Sequence, residues 1–396
     1  MGELTVKKIN VYIICLFCII GIGLLMIFSA SSVWAEFKTG NKYYYLIRQG
    51  LFFIVGLIGF ILASKIKYAF WKKHANKLFI GCLFLLIAVL IPGIGIVRGG
   101  ARSWIGIGDF SIQPAEFMKL GFVIFTAKFL SNHEGIMRKN LYFYLYMLLV
   151  GFVFGLILLQ PDFGSGVILV AGIVFMLFVG GIQMKNIVLG ILVASVGVVG
   201  MIMIAPYRME RIQSFLDPWQ DPLGSGFQII QSLYAISPAS LFGYGLFNSK
   251  QKYFYLPEPQ NDFIFAIICE ELGIVGGVIV LGLFAVIIYI GYRLAKTAKD
   301  GFASYVVFGF TSLILVQVFV NIAVVIGLIP VTGVTLPFVS YGGSSLVISM
   351  FMMGIIVNIM KTAEKDLNFE YKGERSWKKR KRGAVSRLPW KKLKRE

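Results

Sequence analysis

Charge is scarce in this chain of 396 residues, of which 14% are Asp, Glu, Lys or Arg; soluble domains carry about 25%. That deficit, beside 58% hydrophobic residues, excludes an ordinary soluble enzyme. Histidine is nearly absent: His74 and His133 are the two examples, and both fall in basic stretches between apolar runs. Acid or base chemistry in or beyond a membrane is therefore left to carboxylates or Lys. The four Cys exclude a disulfide scaffold or zinc site. Cys15 and Cys18 lie inside one apolar run, Cys82 and Cys269 stand alone in others, and no His has metal-ligand spacing to them. Strict apolar/polar alternation is missing too, and runs such as VGLIGFILAS are apolar on every face, which excludes a membrane β-barrel.

What the chain does have is apolar stretches of about 20 residues, the length that crosses a hydrocarbon core about 30 Å thick as a helix. They predict an all-α polytopic membrane protein with ten transmembrane helices, near 9–31, 46–64, 78–97, 113–131, 141–160, 163–181, 186–205, 261–292, 303–329 and 337–360. Lys7 and Lys8 before the first run give it the look of a signal peptide, but its length and the charge pattern read as a retained helix. With the N-terminus inside, 28 of the 38 Lys and Arg fall on that side and 9 on the other. Positive loops stay cytoplasmic, so both termini are expected there. Residues 1–360 form the membrane domain, with one long extracytoplasmic loop, 206–260, between spans 7 and 8. Residues 361–396 form a basic cytoplasmic tail, suited to anionic lipid rather than nucleic acid, since no nucleic-acid-binding fold accompanies the charge.

Charge inside or beside a span is expensive and therefore informative. QPAEFMKL places Glu116 and Lys119 three residues apart on one helical face, as a mutually neutralised pair or as the lining of a polar cavity. Before it, RGGARSWIGIGDF offers Arg98, Arg102, Trp104 and Asp109: an interfacial anchor, or a site for a lipid-linked phosphate. Asp262 opens the eighth span, as a helix cap or as a general base at the membrane surface, with Glu258 as a second carboxylate. Glu270 and Glu271 read as structural or conformational. Asp162, Arg208, Arg211, Asp217 and Asp221 share the same external side. Ser340, Tyr341, Gly342, Gly343 and Ser344 open the tenth span, for close packing or for exposure to a cavity.

The strings RSWIGIG…QPAEFMKL (102–120), QPDFGSG (160–166), SFLDPWQDPLGSGFQIIQS (214–232), QKYFYLPEPQNDFIFA (251–266), EELG (270–273) and GLIPVTGVTLPFVSYGGSSL (327–346) resemble the shape, elongation, division and sporulation family typified by FtsW, RodA and SpoVE. They occur in that family's order, and the division and sporulation branch, FtsW above all, is the more similar. The resemblance implies a peptidoglycan glycosyltransferase that polymerises lipid II on the outer face of the bacterial cytoplasmic membrane, at the division septum. It implies that Asp262 is the catalytic acid/base residue. Arg102 and Lys119, with Glu116 orienting Lys119, would bind the pyrophosphate; Trp104, Asp162, Glu258 and residues 340–344 would complete the substrate site. A divalent cation, Mg2+ or Mn2+, is compatible with pyrophosphate departure, though no metal cage is visible. A class B penicillin-binding protein transpeptidase and other divisome proteins are the implied partners.

The chain departs from the family at Ser237, Ala239 and Ser240, where Gly often stands, at GLFNSKQ, and at Asn261, where Thr is usual. Two other functions fit ten spans with intramembrane charge: a lipid II flippase, which makes no bond, and a divisome scaffold without catalysis.

Overall fold

The computed structural model describes residues 3–385 apart from 99, 108–109, 134, 136–138, 187, 191, 193–196, 198–208, 210–212 and 238–239. Most of the expected seventh span, together with Asp109, Arg208, Arg211 and Ala239, thus lies outside the described residues. The fold is mostly helical: α1 (Glu3–Thr39), α2 (Tyr44–Lys65), α3 (Tyr68–Ala88), α4 (Pro114–Asn132), α5 (Asn140–Leu158), α6 (Phe163–Val179), a short α7 (Phe227–Ile236), α8 (Ile264–Thr297), α9 (Gly301–Val325) and α10 (Gly343–Val385). Among the described residues six segments are long and apolar enough to cross a membrane: Lys8–Thr39, Tyr44–Lys65, Leu141–Leu158, Ile264–Thr297, Gly301–Val325 and Gly343–Lys365.

The third and tenth spans differ from the sequence expectation. α3 ends at Ala88, because Pro92 and Gly93 follow and the β-branched run after them favours extended backbone. Residues expected to be the end of a span and a loop instead build a three-stranded antiparallel sheet, β1 (Gly95–Arg98), β2 (Ala101–Ile107) and β3 (Phe110–Ile112). Ile96 pairs with Trp104 and Ile105 with Ile112. The tenth helix begins at Gly343 rather than 337, because residues 336–342 form a turn with Phe338 at φ 66°.

Position in the bundle follows from composition. In α9 and in the membrane part of α10, 78% of the most apolar window is buried, against 22% in α2, so α9 and α10 form the interior while α2 faces outward. α10 packs along α2, α4 lies against α3 and α9, and α8 lies against α1 and α9. The α2–α10 seam depends on a small residue, as membrane interfaces generally do: a Cβ at Gly354 would lie 2.5 Å from the Phe60 carbonyl oxygen.

α8 is broken at Gly273, with φ 68° and ψ −165°. In an apolar medium the backbone groups freed by a break need other partners, and the loop before α8 supplies them. Tyr244 N donates to Glu270 O and Gly245 N to Glu271 O, both at 2.9 Å, while Ile274 N and Val275 N donate to Ser240 O and Leu241 O at 3.3 and 3.2 Å. The acidic pair fastens the same loop. Glu271 accepts Ser29 Oγ at 2.6 and 2.7 Å, Phe247 N at 3.0 Å and Ser249 N at 3.1 Å, with Lys252 Nζ at 3.7 Å. Glu270 accepts Ser249 Oγ at 2.5 Å and Lys250 N at 2.9 Å. Both carboxylates are buried, and their oxygens are taken up by these donors.

A Cβ at Gly273 would meet Ser240 O and Gly243 N at 2.5 Å in a backbone conformation that L side chains rarely adopt. Gly273→Ala is expected to destabilise the protein by about 3 kcal/mol, seen as a lowered midpoint of thermal unfolding in detergent.

Candidate functional site

The ends of α1, α6, α8, α9 and α10 that meet α2 and α4 near their first residues gather at one end of the bundle, and side chains stitch them together. Asp262 lies immediately before Phe263, the cap position of α8, and no side chain caps that helix. Asp262 is half-buried beside the start of that helix. Its turn is anchored through the backbone: Asn321 Nδ2 donates to Asp262 O and to Val334 O, each at 2.7 Å, and Tyr341 N donates to Gln260 O at 2.8 Å.

Glu116 and Lys119 form an ion pair of 2.8 Å, with side chains 5% and 2% exposed. Lys119 Nζ also donates to Gln317 Oε1 at 3.2 Å, and Gln317 Nε2 donates to Thr335 O at 3.0 Å. The ammonium is turned to the interior of the bundle, and its charge reaches the 334–341 loop through the Gln317 amide. Asp162 caps α6 by accepting Ser165 N at 3.2 Å and holds Gln113 Nε2 at 2.5 Å.

Ser340 to Ser344 form the facing wall. Ser340 Oγ accepts Leu336 N at 2.8 Å, and Gln49 clasps the turn by donating to Ser340 O and accepting Gly342 N, both at 3.3 Å. Tyr341 packs edge-on to Tyr45 with centroids 5.0 Å apart and hydrogen-bonds to Arg48. Gly343 fits against the Phe52 ring, and Ser344 Oγ accepts Gln113 N at 3.3 Å. Glu258 sits in an exposed turn at φ 43°. Asn261 Nδ2 donates to it at 2.8 Å, and Lys38 lies 3.5 Å away. Asn261, a departure from the family pattern, thus shapes the turn that carries Asp262.

Arg102 and Trp104 stand on β2, on the opposite face from buried Ser103, and the Arg98 guanidinium lies over the Trp104 ring at 5.6 Å. The sheet reaches the site through Phe110, 6.1 Å from Phe52 between centroids, and through Arg98, whose charge acts on Tyr341. In the long loop, Asp217 and Asp221 cap local turns, accepting Trp219 N at 3.2 Å and Ser225 N at 2.8 Å. No cluster of three His, Cys, Asp or Glu that could hold a metal occurs among the described residues. Sequence reasoning missed Arg48, Gln49, Gln260, Gln317 and Asn321; amides recurring at i and i+4 in an otherwise apolar span were the available signal.

The sequence pattern of the FtsW/RodA/SpoVE family, described as cell cycle proteins, matches residues 9–365. The chain belongs to this family. It is 47% identical over 366 residues to stage V sporulation protein E of Bacillus subtilis (strain 168), covering 90% of this chain and 99% of that one. It is 40% identical to a probable peptidoglycan glycosyltransferase FtsW of Geobacter sp. (strain M18), covering 85% and 92%. Among solved structures, it resembles a chain from a study of polymerization and crosslinking by a peptidoglycan synthase complex, with TM-score 0.73, 30% identity and coverage of 89% and 97%. It also resembles the rod shape-determining protein RodA of Thermus thermophilus, with TM-score 0.65, 26% identity and coverage of 88% and 95%. The chain thus has a family fold, is FtsW-like in sequence, and is a multi-pass membrane protein.

Removing one partner of the Glu116–Lys119 pair strands a charge in the apolar interior. Glu116→Gln is expected to lower stability by about 3 to 5 kcal/mol, read by thermal unfolding. The double variant Glu116→Leu/Lys119→Met should recover most of that loss, because an apolar pair of similar volume leaves no unpaired charge.

Proposed function

We propose that the protein is an inverting peptidoglycan glycosyltransferase that polymerises lipid II into β-1,4 glycan on the outer face of the cytoplasmic membrane. The observation that carries this reading is Asp262: a half-buried carboxylate at a helix start, in a turn tied to the facing loop. Asp262 takes the proton from the acceptor's 4-hydroxyl as that oxygen attacks the anomeric carbon of N-acetylmuramic acid. The bond to undecaprenyl pyrophosphate breaks as the new bond forms on the opposite face, so an α-linked donor becomes a β-linked product.

Arg102 and Trp104 on the sheet, Glu258 beside Asp262 and the Ser340–Ser344 wall surround the substrate. Lys119, facing inward in its ion pair, acts on the departing pyrophosphate only through its field. The described residues form no protein-only metal cage; a divalent cation arriving with the pyrophosphate would be held by that group's own oxygens and would supply charge neutralisation there.

Ten spans with both termini cytoplasmic, the 206–260 loop outside, and the basic tail against anionic lipid complete the membrane arrangement. Its proposed setting is septal wall synthesis beside a class B penicillin-binding protein and other divisome proteins; the names of the relatives support peptidoglycan synthesis and a cell-cycle role.

The test incubates purified protein and its transpeptidase partner with labelled lipid II and Mg2+ or Mn2+, and resolves glycan length on gels. Asp262→Asn should fold and bind the partner yet lose at least about a hundredfold in polymerisation rate. Equal polymer from both forms would remove Asp262 from the mechanism. No polymer from either, where a known polymerase works in the same tube, would favour a lipid II flippase or a scaffold.

A further inference from the structure

Catalysis by a carboxylate depends on where the carboxylate is held, and the backbone on either side of Asp262 is pinned from outside its own turn. One pin is Tyr341 N on Gln260 O. The other is a side chain from the middle of the bundle, Asn321 on α9, which is fully buried. Both of its amide hydrogens are committed, one to Asp262 O and one to Val334 O. Because both neighbours are acceptors, only the NH2 end of the amide can face them.

The other end of the same amide is telling. Asn321 Oδ1 is buried with no hydrogen-bond partner. A buried unpaired oxygen in an apolar helix is a standing cost, and a leucine of similar size would avoid it. The residue is retained in this arrangement for what its NH2 group bridges. One turn earlier, Gln317 repeats the device on the next carbonyl, donating to Thr335 O and accepting from Lys119. Two amides at i and i+4 thus present one face of α9 to consecutive carbonyls of the 334–335 segment, and the second of them reaches across to the Asp262 turn.

We propose that Asn321 is a positioning residue for Asp262, with Gln317 holding the opposing strand in register. The inference rests on the glycosyltransferase reading of Asp262. Asn321 touches no reacting atom; it fixes the Asp262 turn against the 334–341 segment and so fixes where the carboxylate is held. A displacement of about 1 Å at such a point is enough to lower a rate about a hundredfold.

The test measures kcat and KM for labelled lipid II, per folded molecule, in wild type, Asn321→Leu, Asn321→Asp, Gln317→Leu and Asp262→Asn. Folded protein is quantified by monodisperse elution and by a thermal midpoint. Asn321→Leu should lower kcat about a hundredfold with KM within about threefold, and Gln317→Leu should lower it less. Asn321→Asp provides a readout that a packing role would not move. Desolvation and repulsion by two carbonyls raise the titration of a buried carboxyl into the neutral range, and only in its protonated form does it donate one of the two lost bonds. The ratio of its kcat to that of wild type should therefore rise as the assay is taken from about pH 8 to about pH 6.

A kcat per folded molecule equal to wild type in Asn321→Leu, or a flat Asn321→Asp ratio across that range, overturns the inference while the activity reading stands. Absence of polymer from wild type, or undiminished polymer from Asp262→Asn, overturns the activity reading and the inference with it.

Discussion

An ammonium and a carboxylate 2.8 Å apart, each almost without solvent contact, set the terms for the rest of this bundle. In water the Glu116–Lys119 pair would be worth little; in an apolar interior neither charge can be left alone, and the remaining hydrogens of Lys119 need acceptors as well. Gln317 supplies one, its own amide then needs the Thr335 carbonyl, and the loop before α10 is thereby fixed to the centre of the molecule. Order travels outward from the buried pair because each polar group recruited to satisfy the last one brings unsatisfied atoms of its own.

The same rule explains the loop before α8. A break in a membrane helix exposes backbone groups, and here segment 240–245 occupies the break in α8 while Glu270 and Glu271 collect the amide hydrogens of Phe247, Ser249, Lys250 and Gln251. Loop and helix are one structural unit, although the loop reads in sequence as a polar insertion between two spans. Asp262 follows directly from that unit, so the position of the carboxylate is inherited from both the loop clamp and the α9 amides.

Much of this was legible in the residues. Apolar run length located α1 to α6 and α8 to α10, and the spacing of Glu116 and Lys119 anticipated their pairing. The adjacent Glu270 and Glu271 anticipated a structural role, since two acids at that depth need donors. What escaped the sequence was of two kinds. The hairpin sheet at 95–112 was hidden because Ile94, Ile96 and Val97 prolong the apolar run past Pro92, so hydropathy continued where helical geometry could not. The clasp made by Gln49, Gln317 and Asn321 was hidden because a single amide in a span has no partner visible in sequence; its acceptors are backbone carbonyls that only the fold brings near.

The separations along the chain of these contacts bear on how the protein is made. Ser29 on the first helix finds its carboxylate 242 residues later, Gln49 finds its carbonyl 291 residues later, and Tyr12 meets the Met353 sulfur 341 residues later. During synthesis the first two helices reach the bilayer long before the groups that will satisfy them exist. They must wait there with their polar atoms turned toward lipid headgroups, water or one another. The helices that emerge first are thus among the last to reach their final neighbours, and closure of the bundle coincides with insertion of its last helix.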